Sequence, residues 1–378
     1  MQLSQINLQP HFGGGEVYTA FLCQALDRLG VSTTLYAHPK ASFWGQLDLP
    51  ASTRIEHAAT FETIAARLER KPLWLLSHGP LPRALINERH PQWLLTAMAH
   101  MPIQGRNPHS FDHHDMVIPV SKWVRDGLTA AGAPVWSEPL YGVATLSPQR
   151  GEGAAAIVST SRYDWDQRKF RDRLLGLLQP VWRPLAKQTR FAKRPGLTLG
   201  IVSRLTPIKQ FPLLFTHLFS ALASYPSVNL EIFGSGGYAS VRDLDRALAP
   251  IADRVRFWGH QRDVRSVYAQ LDYLMTGLPE KEALGLNVIE AQACDLPVLA
   301  VKAPPFTETV LEGQSGFFYR DPREDRGADF YRLLDQLLQR SAPLHPAQAT
   351  EHLKRFSFEA FVERLRPIVQ WAEQRLSP

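Results

Sequence analysis

Leu197-Thr198-Leu199-Gly200-Ile201-Val202-Ser203-Arg204-Leu205-Thr206-Pro207-Ile208-Lys209 is the stretch that decides the fold. Leu197–Val202 is an apolar run closed by Ser203 and Pro207, which reads as a strand passing into a loop. Arg204 and Lys209 stand just beyond its carboxyl end, where open α/β sheets bind their ligands. A guanidinium and an ammonium there suit a diphosphate, one bidentate and one as a point charge. Solvated surface cations are the other reading of the same pair.

Downstream the strand-like runs continue at Val228–Phe233, Val255–Trp258, Tyr273–Met275 and Pro297–Val301, with helical spacing between them. Upstream the same rhythm appears. Leu3 to Leu8 alternates apolar and polar residues, His11-Phe12-Gly13-Gly14-Gly15 interrupts it, and Val17, Phe21, Leu22, Ala25 and Leu29 then recur at helical spacing up to Gly30. Further runs are Val31–Ala37, Pro72–Ser77, Trp93–Ala99 and Met116–Val120. Strands alternating with helices imply a parallel sheet covered on both faces. Two such α/β halves in succession predict a two-domain enzyme with a cleft. From about Ala144 to Pro195 the rhythm gives way to Arg, Lys, Trp and Pro, as in a linker region with its own helix.

The chain has 378 residues, a length for two domains, and its 44% hydrophobic and 21% charged content is ordinary for a globular protein. Disorder, collagen and coiled coil are excluded. Cys23 and Cys294 are too few for a disulfide-stapled scaffold, so a reducing cytosol is the expected compartment. No apolar stretch approaches the roughly 18–20 residues of a spanning helix, and the N-terminus enters a strand-like run at once, so neither export nor a membrane span is expected. The net charge of +6 leaves nucleic acid, an anionic membrane or acidic substrates as partners. Its location narrows the choice. Arg162 to Arg194 holds ten Lys and Arg against three Asp, a net of +7, leaving −1 for the other residues. Within it Phe170, Leu174, Leu177, Leu178, Val181 and Trp182 recur at helical spacing, as in a basic amphipathic element on an anionic membrane surface or a connector with a solvated charged face. No nucleic-acid module is recognisable, so nucleic acid is not an expected partner.

Three further motifs carry chemistry. Gly13-Gly14-Gly15-Glu16, between a strand and a helix start, fits a phosphate cradle or a turn requiring positive φ. Glu231-Ile232-Phe233-Gly234-Ser235-Gly236-Gly237 is a strand with a glycine turn that packing explains equally well. Glu282 and Glu290 lie eight residues apart around a helix start, slightly over two helical turns, so both carboxylates fit one ligand, with Gly285 permitting close backbone approach. His109, His113, His114 and Asp115 cluster in sequence, but no fourth-ligand geometry supports a metal site. His78 either lines the cleft or caps a strand end.

In order and spacing these elements resemble the retaining nucleotide-sugar glycosyltransferases of family 4, which have a GT-B fold. The resemblance is densest from Leu197 to Tyr319, through Arg204 and Lys209, Phe233-Gly234-Ser235-Gly236, Val255–Gly259, and Glu282–Glu290 with the following Ala291–Val298. It extends more weakly through Gly13–Glu16, His78, His100, Val120-Ser121 and Tyr141-Gly142-Val143. It implies two Rossmann-like domains facing across a cleft: 1–194 for the acceptor, with a basic connector over about 150–194; 195–360 for the donor; and a helix, 361–378, returning to the N-terminal domain. Arg204 and Lys209 match the pair neutralising the donor diphosphate, Glu290 the carboxylate that accepts from the ribose, and Glu282 the carboxylate facing donor sugar and phosphate. Gly14 and Gly15 match the loop closing over the diphosphate, and His100 the strand-end histidine near the sugar. Gly234, Gly285 and Leu286 complete the implied donor-binding set.

The implied reaction moves a sugar from a nucleoside diphosphate to a hydroxyl of a glycan or lipid-linked acceptor with retention, without a metal or other cofactor. Envelope polysaccharide or lipopolysaccharide synthesis is the expected setting, in the cytoplasm and on the inner face of the membrane. The chain departs from the family pattern at Gln210 and Asp295, where members commonly carry Gly, and at Leu284, where they carry an aromatic residue. Ala303-Pro304-Pro305-Phe306-Thr307-Glu308 replaces a glycine turn whose amides help hold the donor, and proline lacks that N–H.

Overall fold

The computed structural model describes residues 1–87, 89–147, 156–164 and 189–377. The chain divides into two compact units, one formed by Met1–Thr145 with the stretch from Lys354 onward, the other by Leu146–Leu353. Among the described residues no helix is long and apolar enough to cross a membrane.

The first unit is built on a parallel sheet of β1 (Gln2–Asn7), β2 (Ser32–Ala37), β3 (Thr53–His57), β4 (Leu73–Ser77), β5 (Trp93–Ala99) and β6 (Met116–Pro119) in the order β3-β2-β1-β4-β5-β6. β1 is central, with Ile6 registered on Tyr36 at one side and on Ser77 at the other. Alternation of the kind seen in β1 commonly accompanies a half-solvated strand. Instead Leu3 to Asn7 are all buried, so its polar side chains lie inside the protein and must find partners there. The Phe358–Leu376 helix, capped by the Ser357 side chain, packs on the Gly14–Arg28 helix. There Phe361 sets its ring edge against Tyr18 and Phe21, at 5.6 and 5.0 Å.

The second unit holds β7 (Leu197–Val202), β8 (Val228–Phe233), β9 (Val255–Gly259), β10 (Tyr273–Met275), β11 (Val298–Val301) and β12 (Gly316–Tyr319), in the order β12-β11-β10-β7-β8-β9 and parallel throughout. Counted from its own first strand, this is the order of the first sheet. Both faces are covered: β11 sends Leu299 and Val301 into one core and Val298 and Ala300 into the other. The Phe211–Ser224 helix covers the first of these with Phe211, Leu214, Phe215, Leu218 and Leu222.

The described ends of the connector pack on the second unit rather than dividing from it at residue 194. Ser159 and Phe191 exchange backbone bonds with Thr189 and Ile157, Thr160 donates to the Trp258 carbonyl, and Phe191 lies 5.1 Å from the Trp258 ring. Buried Glu231 gathers Arg194, Arg256 and the Trp258 indole N–H. Most of the basic Arg162–Arg194 segment, including its apolar stripe, lies outside the described residues. Of its described cations, Arg162 pairs with Asp245, Lys193 with Asp272 and Arg194 with Glu231.

Candidate functional site

In each sheet the first strand lies between the second and the fourth, so the connections after strands one and four leave in opposite directions and open a crevice at their carboxyl ends. In the second unit that switch point lies between β7 and β10. The segments that follow them, 203–210 and 276–285, carry Arg204, Lys209 and Glu282.

The two segments meet directly. Lys209 Nζ pairs with Glu282 Oε2, and a Cβ on Gly277 would fall 2.1 Å from the Lys209 carbonyl, so the backbones touch where a side chain would hold them apart. Gln210 adopts a left-handed conformation at φ 54° and donates from Nε2 to Glu280 Oε1 at 3.0 Å. Glu280 also accepts from Arg323 Nη1 at 2.6 Å, and Arg323 forks onto Asp321, whose carboxyl it holds below its usual range. Asp295 adopts the same left-handed region, at φ 66°, and accepts from His345 and from the Ala347 amide. Both departures from the family's glycines therefore occupy glycine-type backbone, each anchored through its side chain.

Gly234 and Gly236 serve the same segment. Added Cβ atoms would lie 1.9 Å from the Ser203 carbonyl and 2.1 Å from that of Leu205, so these glycines let the Arg204 loop lie on the β8 turn. The Gly236 amide donates to the Arg162 carbonyl and Ser235 Oγ to Asp164. Packing thus accounts for this turn.

The Leu286–Ala293 helix starts from Gly285 at φ 83°. Glu282 precedes it, so the eight-residue spacing is not a helical repeat: one carboxylate turns back to Lys209 and the other, Glu290, is carried on the helix. Burial pushes Glu290 up to about 7. The proline turn also shows its consequence. The amide of Ala303 bonds to Val301, those of Phe306 and Thr307 to Ala303, and that of Glu308 to Pro305, while Pro304 and Pro305 have none. Every N–H from 303 to 308 is engaged within the chain.

In the first unit the switch point lies between β1 and β4. Gly14 and Gly15 open the Gly14–Arg28 helix behind Gly13, whose backbone is extended, and none of the three has positive φ. The alternative of a turn demanding left-handed backbone is therefore overturned. A Cβ on Gly15 would meet nothing within 4 Å. Beneath this helix start, Asn7 donates to Glu16 and Thr19, and Thr19 donates to the Gly15 carbonyl at 2.8 Å. His78 follows β4 and His100 follows β5; their rings are within 8° of parallel and joined Nδ1 to Nε2 at 2.8 Å. Burial lowers His100 to about 4 and His78 well below its ordinary value, with His100 as a second cause for His78.

The His109–Asp115 cluster does not converge. Buried His114 accepts from the Leu81 amide and bonds to the Phe111 carbonyl, His109 pairs with Asp112, and Asp115 pairs with Arg89. Among the described residues no group of three or more His, Cys, Asp or Glu side chains is arranged to hold a metal.

Sequence reasoning missed Gln5, Asn7 and Thr19, which line the first switch point, and Gly277 and Glu280 at the second. Polar residues inside a strand central to its sheet were the available signal for the first pair. A lone glycine two residues after β10 was the signal for Gly277.

Residues 196–340 match the family model described as "Glycosyl transferases group 1". A GDP-mannose-dependent monoacylated alpha-(1-6)-phosphatidylinositol monomannoside mannosyltransferase from Corynebacterium glutamicum is 30% identical over 178 residues, 44% of this chain and 45% of that protein. A D-inositol 3-phosphate glycosyltransferase from Stackebrandtia nassauensis is 32% identical over 181 residues, 43% of this chain and 39% of that protein. The matched stretch spans less than half of either relative. Among solved structures, Anabaena HepE in complex with UDP and glucose superposes with a TM-score of 0.68 at 16% identity, covering 98% of this chain and 99% of that one. The sucrose-phosphate synthase from Thermosynechococcus elongatus gives 0.69 at 15%, covering 98% of each. These likenesses establish the fold, two six-stranded parallel α/β sheets of the GT-B type.

Proposed function

We propose that the chain transfers a sugar, with retention of anomeric configuration, from a nucleoside diphosphate sugar to a hydroxyl of a glycan or lipid-linked acceptor in bacterial envelope synthesis. The observation that carries this reading is the second switch point, where Arg204, Lys209 and Glu282 come from the two segments that flank the crevice. Similarity of residues 196–340 to group 1 glycosyl transferases supports it.

The chemistry follows from charge. As the bond from the sugar to the phosphate breaks, negative charge grows on the departing diphosphate, and cations placed there stabilise the transition state more than the ground state. In this reading Arg204 grips the diphosphate as a fork and Lys209 as a point charge, without a metal ion. Lys209 is held by Glu282 until the diphosphate competes for its ammonium. Glu282 then orients the sugar and steadies charge rather than attacking. Glu290 accepts from the ribose hydroxyls, and the amides opening the Leu286–Ala293 helix face the phosphates.

Titrating UDP and GDP into the chain, beside a transfer assay with the corresponding sugar nucleotides, tests the reading. Lys209→Ala and Arg204→Ala are expected to lower transfer by about 10²–10³-fold each. Full activity in both variants defeats it, and an NMR-determined anomeric configuration opposite to that of the donor defeats retention. The turn at 303–308 favours a second reading, in which the chain binds a nucleotide sugar without turnover, because its amides are all engaged. Binding by titration with no transfer or donor hydrolysis selects that alternative.

A further inference from the structure

We propose that Gln5 and His78 are positioning residues that fix His100 in a single neutral tautomer, with Nε2 accepting and Nδ1–H presented as a hydrogen-bond donor. The proposal rests on the reading of the chain as a glycosyltransferase only for what the donor serves, a hydroxyl of the transferred sugar. The tautomer itself follows from four side chains.

The chain of bonds has one direction. Cys23 Sγ, a thiol donor, lies 3.5 Å from Gln5 Oε1, which turns the amide nitrogen of Gln5 toward His78. Gln5 Nε2 is 2.6 Å from His78 Nε2. An amide nitrogen can only donate, so His78 Nε2 is the acceptor and its proton sits on Nδ1. That proton points at His100 Nε2, 2.8 Å away, which must then accept and leave the His100 proton on Nδ1. Thr19 Oγ1 lies 3.3 and 3.4 Å from the two ring nitrogens of His78, but its own proton goes to the Gly15 carbonyl at 2.8 Å, so toward His78 it can only accept. Being almost equally far from both nitrogens, it leaves the direction set by Gln5 unchanged.

The surroundings keep the chain neutral. Gln5 and Thr19 are fully buried in the sheet and helix that carry them, and Tyr18 sets its ring edge-on to His100 at 4.9 Å. A neutral imidazole with a defined N–H is a directional donor, whereas a ring free to exchange tautomers offers a donor only part of the time. Second partners that set which ring nitrogen carries the proton commonly orient functional histidines.

The test reads the rings directly, in the full chain with ¹⁵N-labelled histidine, by two-bond proton–nitrogen correlation at pH 7, with His100 assigned from the His100→Gln spectrum. The expected result is a protonated Nδ1 and an unprotonated Nε2 for both His78 and His100. In Gln5→Met and in His78→Leu the single tautomer of His100 should be lost. His78→Asn, whose amide nitrogen replaces Nδ1, should keep it, and about tenfold losses of kcat/KM in the first two variants should be restored in the third. A wild-type His100 that is doubly protonated or protonated on Nε2 overturns the proposal, as does a His100 spectrum unchanged in both Gln5→Met and His78→Leu. If the spectra behave as expected while the wild-type chain transfers no sugar, the glycosyltransferase reading falls and the directed chain stands.

Discussion

The two units share one strand order and one kind of switch point, yet they fill it with opposite chemistry. The first places mostly neutral groups there, Gln5, Asn7, Thr19, His78 and His100, tied into a hydrogen-bonded network beneath a helix start, with buried Glu16 accepting from Asn7. The second places charges, Lys209 with Glu282 and Glu280 with Arg323. Location explains the difference. The first set hangs from strand ends and a helix that are buried, where an ionised side chain without a partner costs several kcal/mol. Lys209, Glu280 and Glu282 of the second set stand on loops, where Lys209 is half-buried, so charge is kept there at little cost.

The largest expected effect breaks the pair apart by pH. Burial lowers His78, His100 and His114 in the first unit, so below about 6.5 the unfolded chain binds protons that the folded one refuses. Their contribution is complete above that pH and is lost as pH falls, toward about 4 for His100 and His114, by about 2–3 kcal/mol for each of those two rings. Urea unfolding at pH 7.5 and 4.5, with limited proteolysis identifying the opened segment, should show the first unit yielding first in acid. Acid opening of the second unit ahead of it would dissolve the contrast.

A second measurement sharpens the charged side. Glu231 is fully buried in β8 and is shared by Arg194, Arg256 and Trp258. Glu231→Ala leaves two guanidinium groups uncompensated, and a loss of about 3 kcal/mol in chemical denaturation is expected, confined to the second unit. Proteolytic cleavage near residues 189–194 should rise with it, since Arg194 ties that stretch to the sheet. An equal loss in the first unit contradicts the independence of the two cores.

How much of this was legible in the sequence depends on burial. The strands read from apolar runs include every inner strand and two at the edges, Met116–Pro119 and Val255–Gly259. The two that were not, Thr53–His57 and Gly316–Tyr319, stand at the other edges: the first is mostly polar and only partly buried, and the second is a run of four residues, too short to stand out. In β1 the alternation has another cause than a solvated face: its polar positions join a buried network. The charged site residues were visible because they follow strands closely. Of the neutral network only His78 and His100 were visible; Gln5, Asn7 and Thr19 were not, since they are ordinary residues whose meaning lies in distances of 2.6–3.0 Å across 12 to 73 positions of chain. Gly277 offered only the weak signal of a lone glycine after a strand, and the fold shows its reason, the Lys209 carbonyl lying against it.

Glu290 gives the second unit a pH dependence of the opposite sense. Its folded value near 7 exceeds the ordinary 4.5, so the folded chain holds a proton that the unfolded one has released. The favourable term is present below about 4.5 and disappears as pH rises through 7. Glu290→Gln should therefore stabilise the chain at pH 8.5 by about 2 kcal/mol and leave it unchanged at pH 4.5, while weakening nucleoside diphosphate binding. Equal melting curves for the two proteins at pH 8.5 would remove the asymmetry between the units.

The smallest effect concerns how the charged loops are held. Gln210 occupies left-handed backbone that costs a residue with a Cβ about 1 kcal/mol, and its side chain anchors Glu280. Gln210→Ala retains the backbone cost and loses the anchor, so a loss of about 1 kcal/mol is expected. Gln210→Gly loses the anchor but relieves the backbone, while gaining freedom in the unfolded chain, and should fall within about 0.5 kcal/mol of the parent. The difference between the two variants isolates the backbone term, because both lack the bond to Glu280. If Gln210→Gly is the less stable of the two, the glutamine is held by packing, and the glycine-type turn between Lys209 and the Phe211–Ser224 helix is not what sets the position of that lysine.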